Sequence, residues 1–218
     1  TDEKTPSMMV IGSGGYVFPR YLKAVWPGSR VEVVEIDPGV TEAAVAAFGL
    51  DRDAPIRATH LDARCYVDQI LQGQTPEESR ELYDFIYADA VRDYAVPFQL
   101  LTQEFNDGIA RLLTDDGAYL VNLIDTYDSG RLVGAVVNTL RLTFPHVYVL
   151  TSELALPSLQ DTFVVVAARR QIDLRGMLSG YNRHMKFWLL DNSDVDYLLE
   201  QAGHAILTDD FAPVEQML

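Results

Sequence analysis

The residues best placed to do chemistry in this chain are carboxylates that follow short apolar runs. Glu35 and Asp37 close VEVVEID, Asp62 follows THL, and Asp89 follows YDFIYA. A carboxylate at the end of a second strand, about 20 residues beyond a glycine turn, can accept hydrogen bonds from both ribose hydroxyls of a nucleoside, and Glu35 holds that position. Asp62, with Ala63 after it, stands where the exocyclic amine of an adenine could be received. Asp89 stands where a reacting group would lie and could orient a nucleophile and take its proton. The same residue types also cap helices and close turns. Their recurrence at successive strand ends, where open α/β sheets bind ligands, favours the binding role.

Upstream of them, MMVIGSGGYVFPRYL passes from an apolar stretch through Gly12, Gly14 and Gly15 into a helical pattern. Strand, glycine turn, helix is the geometry that brings backbone close to a nucleotide or nucleoside. A dinucleotide fingerprint would place a third glycine where Val17 stands, and no P-loop lysine follows, so the turn suits a ligand without requiring a pyrophosphate. Tyr16 and Phe18 are candidates to wall that ligand, core packing being the commoner role of such aromatics.

Elements with apolar spacing must hold these residues in place. Strands are expected over 8–11, 31–36, 56–60, 84–88, 118–124, 146–150 and 162–168, with helices over 19–25, 39–48, 63–72, 102–113 and 130–143. Gly117, in TDDG, is read as the stop of the fourth helix. Near-continuous apolar strands separated by helices predict a mostly parallel sheet covered on both faces. HVYVL and TFVVVAA lack a helix between them and read as an antiparallel pair. The expected fold is therefore α/β and Rossmann-like, a seven-stranded, mostly parallel sheet whose last strand runs antiparallel between its neighbours. This is the layout of class I S-adenosylmethionine methyltransferases, although periodicity alone also allows a dinucleotide-binding domain. Residues 1–218 read as a single domain, with an irregular acidic tail over 171–218 that carries a possible helix at 194–202.

Composition narrows the function. The chain has 218 residues, 48% of them hydrophobic, and 32 acidic against 17 basic residues give a formal charge of −15. That field repels nucleic acid and suits a cationic substrate. Cys65 is the single cysteine and the four histidines are scattered, so neither a disulfide nor a metal site is expected. Cys65 reads as a small core residue. No run is long and apolar enough to insert in a membrane, and the chain reads as cytoplasmic.

Taken together, MMVIGSGG, VEVVEIDPGV, LDAR, YDFIYADA, LLTQEFNDGIARLLTDDGAYLVNLID and LTDDFAPVE resemble the spermidine synthase family of aminopropyltransferases, in its spermidine synthase-like branch. The resemblance covers roughly residues 8–170 and the tail motif. It implies transfer of an aminopropyl group from decarboxylated S-adenosylmethionine to an amine such as putrescine, with methylthioadenosine released and no metal involved. By position, Glu35 resembles the family's ribose-binding glutamate, Asp62 its adenine-binding aspartate and Asp89 the first aspartate of its catalytic D-x-x-D. Asp93, Tyr94 and Asp161 would hold the far end of the amine, and Asp209, Asp210 and Glu215 join them if the tail folds over the strand ends. A homodimer is the expected assembly. The chain departs from the family at Gly15, where G-G-G-D-G-G has its aspartate, at Arg92, which replaces the second aspartate, and at LPSLQDTF, which lacks the aromatic residues of the amine-binding stretch. Gly15 shifts weight toward ordinary S-adenosylmethionine, with S-adenosylhomocysteine as product. An S-adenosylmethionine-dependent methyltransferase, or a nucleoside-binding homologue without catalysis, is the alternative.

Overall fold

The computed structural model describes residues 5–77, 81–90, 96–152, 158–180 and 187–217. β1 (Ser7–Ile11), β2 (Arg30–Glu35), β3 (Arg57–His60) and β4 (Tyr83–Ala88) are joined by α1 (Val17–Val25), α2 (Pro38–Ala47) and α3 (Ala63–Leu71). α4 (Gln103–Leu112), β5 (Leu113–Thr126), α5 (Arg131–Thr143), β6 (His146–Thr151) and β7 (Gln160–Ala168) follow. With the short β8 (Trp188–Leu189) at one end, the sheet order is β3-β2-β1-β4-β5-β7-β6-β8. β1 to β5 pair in parallel, and β7 runs antiparallel between β5 and β6, as the helix-free connection before it predicts.

Alternation along the strands decides which layer each side chain joins. Met9, Ile11, Val34 and Ile86 face one core, with Phe105 and Ile109 of α4 and Leu132, Val136 and Leu140 of α5. Met8, Val10, Val31 and Val33 face the other, with Leu22 of α1 and Ala44 of α2. Class I methyltransferase-like architecture follows from this: helices on both faces, and every βα loop of the parallel strands opening on one edge.

The structure departs from the sequence pattern in several places. An eighth strand, β8 (Trp188–Leu189), pairs antiparallel with β6. Two residues are too few to show alternation. Gly117 does not stop α4, because that helix ends at Leu112 and TDDG already lies within β5. The β4–β5 register jumps from Tyr83↔Leu113 to Phe85↔Ala118. A Cβ on Gly117 would sit 3.0 Å from the Tyr83 carbonyl oxygen, so the glycine serves this irregular crossing. The segment after 170 is more regular than its composition suggests. It contains α6 (Leu174–Gly180), β8 and α7 (Asn192–Gln201), whose N-terminus carries a full capping box between Asp191 and Asp194. Among the described residues, no helix is long and apolar enough to cross a membrane.

Candidate active site

Backbone pairing brings the strand ends together before any side chain acts. Gly12 N–H donates to the Val34 carbonyl at 2.9 Å, and Asp89 N–H donates to the Ile11 carbonyl at 2.8 Å. The loops after β1, β2 and β4 are thereby tied to one another. Gly12 (φ 84°) and Gly14 (φ 47°) adopt left-handed backbone that a side chain would strain. A Cβ at Gly12 would lie 2.5 Å from the Asp89 carbonyl oxygen, while a Cβ at Gly14 would meet nothing within 4 Å. The turn is therefore packed down on β4 at Gly12 and open at Gly14. Tyr16 also has positive φ, at 57°, and its ring is buried. Its hydroxyl pairs with Thr41 Oγ1 at 2.8 Å, and that oxygen lies 2.9 Å from His60 Nε2, which pins the turn to α2 and β3. Tyr16 thus belongs to the core. Phe18 remains partly exposed, edge-on to Tyr87 with ring centroids 4.7 Å apart.

Glu35 ends β2 buried against this turn. Its Oε2 accepts from Ser13 N–H at 3.0 Å and from Ser13 Oγ–H at 2.7 Å, and its Oε1 accepts from Asp37 N–H at 3.0 Å. A carboxylate offers about four acceptor positions, so the protein already fills three of them. Two ribose hydroxyls can bind together only if the Ser13 hydroxyl turns away. Asp37 is exposed and caps α2, accepting from Gly39 N–H at 2.8 Å. Asp62 caps α3 in the same manner, accepting from Cys65 N–H at 3.1 Å through Oδ1. Ala63 begins that helix with its side chain in the core. Cys65 is exposed instead of buried. The buried stripe of α3 runs through Ala63, Tyr66, Val67 and Ile70, and position 65 falls off it.

The tail reaches the same edge. Arg64, in the first turn of α3, forms a two-pronged pair with Asp209 at 2.6 and 2.9 Å, and Thr102, the N-cap of α4, donates to Asp209 at 2.7 Å. The Arg64 guanidinium beside it holds the Asp209 carboxyl below the usual carboxylate range. Asp209 N–H in turn donates to Glu104 at 3.0 Å. Asp210 and Glu215 are exposed.

Asp89 is exposed just past β4, and Asn122 of β5 donates to its Oδ1 at 2.7 Å. Burial, reinforced by the Asp89 charge, pushes the Tyr87 hydroxyl up to about 12. Asp93, Tyr94 and Arg92 lie outside the described residues, as do Leu156 and Pro157 of LPSLQDTF. Asp161 is on the same edge as Asp89 but two strands across from β4, about 10 Å away by strand spacing alone. It accepts from Thr151 Oγ1 at 2.6 Å and from Ser152 Oγ. Gly15 does not open on the turn as Gly14 does: a Cβ there would meet the Phe48 ring at 3.1 Å.

Glu35, Asp62 and Asp89 therefore share one edge with the glycine turn. Asp37 is on that edge as a cap, and Asp161 lies apart from Asp89. The sequence pattern did not single out Ser13, Asn122, Arg64 or Thr102. Ser13 had a signal in its place between Gly12 and Gly14; Asn122 had only its polarity within the apolar run AYLVNLI. A groove of about 550 Å³ between α1 and the segment before β3, lined by Val17, Tyr21 and Ile56, contains none of these residues. Among the described residues, no group of three or more histidine, cysteine, aspartate or glutamate side chains is arranged to hold a metal ion.

No family model matches the chain. The polyamine aminopropyltransferase of Vibrio vulnificus is 32% identical over 146 residues, covering 66% of this chain and 46% of that protein. The human eEF1A lysine and N-terminal methyltransferase is 29% identical over 149 residues, covering 66% of this chain and 21% of that protein. The chain thus spans less than half the length of these relatives. In three dimensions, a probable spermidine synthase from Corynebacterium glutamicum superposes with a TM-score of 0.76 at 20% identity, covering 95% of this chain and 74% of that one. The chain has a spermidine synthase-like class I methyltransferase fold. Human methyltransferase-like protein 13, solved with S-adenosylhomocysteine, superposes with a TM-score of 0.65 at 22% identity over 98% of this chain and 89% of its own. Both the polyamine and the methyl-transferring relatives are transferases by name.

Proposed function

We propose that this chain is an alkyl transferase that takes an aminopropyl group from decarboxylated S-adenosylmethionine and gives it to an amine acceptor such as putrescine. The observation that carries this reading is the convergence of Glu35, Asp62 and Asp89 on one strand edge, around a glycine turn that is open at Gly14. The residues suit the donor. Glu35 keeps about one acceptor position for a ribose hydroxyl and gains a second when Ser13 turns away. Asp62 can take the adenine amine on the oxygen that its helix cap leaves over.

The donor supplies an electrophilic carbon and a neutral thioether leaving group, so the chain needs no strong acid. Its task is to hold an unprotonated amine in line with that carbon. Asp89 does this by accepting an N–H of the nucleophile. As the new C–N bond forms, the C–S pair leaves with sulfur and the proton passes to the carboxylate. Asp89, Asp62 and Glu35 make this edge negative, which suits a donor whose sulfonium and terminal amine are both cationic. The similarity to polyamine aminopropyltransferases supports the same reaction.

A second reading, methyl transfer from S-adenosylmethionine to an amine, is favoured by Gly15. The family aspartate absent there would repel the carboxylate of the methyl donor. The methyltransferase relatives support it as well.

The test measures nucleoside release with each donor in the presence of putrescine. Release of methylthioadenosine that depends on the amine is expected, with Asp89→Asn lowering the rate about 10²- to 10⁴-fold while methylthioadenosine affinity stays within a few fold. Full activity in Asp89→Asn would remove Asp89 from the mechanism. Release of S-adenosylhomocysteine alone would establish the second reading.

A further inference from the structure

Asn122 adjoins Asp89 because Ala88 of β4 is in register with Val121 of β5. Its Nδ2 donates to Asp89 Oδ1 at 2.7 Å. Its Oδ1 is buried and accepts no hydrogen bond among the described residues. The amide cannot flip to relieve this, since Oδ1 would then face a carboxylate oxygen. A buried acceptor without a donor is costly, and in native proteins such a group calls for an explanation. Here the orphaned oxygen belongs to the same amide that donates to Asp89.

We propose that Asn122 is a specificity-determining residue that reads the acceptor as a primary amine. The inference rests on Asp89 being the carboxylate that receives the nucleophile. A neutral primary amine has two N–H groups and one lone pair. One N–H goes to Asp89 and the other to Asn122 Oδ1, which leaves the lone pair to attack the donor carbon. The C–N bond forms, the C–S bond breaks with its electrons on sulfur, and the proton of the resulting ammonium passes to Asp89. The second N–H of the amine relieves the unpaired acceptor. A secondary amine has a single N–H and leaves one of the two acceptors unpaired. Such a loss corresponds to about 10- to 100-fold in kcat/KM. Transfer would then stop after one alkylation at each nitrogen.

The experiment measures kcat/KM for aminopropyl transfer from decarboxylated S-adenosylmethionine to putrescine and to N,N′-dimethylputrescine, which reads the neutral amine that attacks, in wild type and in Asn122→Ala and Asn122→Gln. Wild type is expected to prefer putrescine at least tenfold. Asn122→Ala should abolish that preference with methylthioadenosine affinity unchanged, and Asn122→Gln should restore part of it. A loss of structure alone would weaken both amines together and leave their ratio in place. Equal kcat/KM of wild type for the two amines, or an undiminished preference in Asn122→Ala, overturns the proposal. If methylthioadenosine itself fails to bind, the reading of the site falls, and this inference with it.

Discussion

The hydroxyl of Ser13 takes an acceptor position on Glu35 that the proposed function assigns to a ribose hydroxyl. It donates to Glu35 Oε2 at 2.7 Å beside a backbone donor to the same oxygen. The pair satisfies a buried carboxylate, and on the proposed function it would compete with ribose. Ser13→Ala is therefore expected to bind methylthioadenosine as tightly as wild type or several-fold tighter. Glu35→Ala should lose about 1–3 kcal/mol, the scale of hydrogen bonds to a charged group. Calorimetry of the two variants separates the roles, because a loss in Ser13→Ala equal to that in Glu35→Ala would make Ser13 a ligand contact instead of a competitor.

The tail is the element whose role the geometry changes most. Asp209 joins α3 through Arg64 and α4 through Thr102, while Leu207 N–H donates to Thr139 of α5 and its carbonyl accepts from Gln103. Because the Asp209 carboxyl is held below its ordinary value, its contribution to stability is present above about pH 4, the unfolded value, and is lost as pH falls through the lower folded value. Asp209→Asn at neutral pH should reproduce the acid effect, with a cost of about 1 kcal/mol for a pair that is partly in solvent. Amide exchange over 207–211 reads both. Unchanged exchange in the variant would show that the apolar anchors Leu207 and Val214 hold the tail without the ion pair.

The parallel strands and their helices were legible in the sequence because apolar spacing follows from burial on both faces of the sheet, and that spacing carried Glu35, Asp62 and Asp89 to one edge. Pairings between distant segments were not legible. Nothing local to Asn122 indicates that it meets Asp89, and nothing in VEVVEI shows that Glu32 is buried beneath the hydroxyls of Tyr66 and Tyr83 with Arg57 at 3.4 Å. β8 is too short for a pattern, and α6 begins in LRGMLSG, where Gly176 interrupts helical propensity.

For the whole molecule, charge and edge agree. A chain with a formal charge of −15 places its candidate site on an edge bearing Glu35, Asp62 and Asp89, and it lacks the glycine-turn aspartate of the established aminopropyl-transferring pattern. On the proposed function, this edge receives the nucleoside of a sulfonium donor that carries no carboxylate. Calorimetric titration of the wild-type chain with methylthioadenosine and with S-adenosylhomocysteine tests it most directly, since these products differ in the carboxylate-bearing amino acid tail. Methylthioadenosine is expected to bind more tightly, with Glu35→Ala weakening it; tenfold tighter binding of S-adenosylhomocysteine, or no binding of either, would overturn the proposed function.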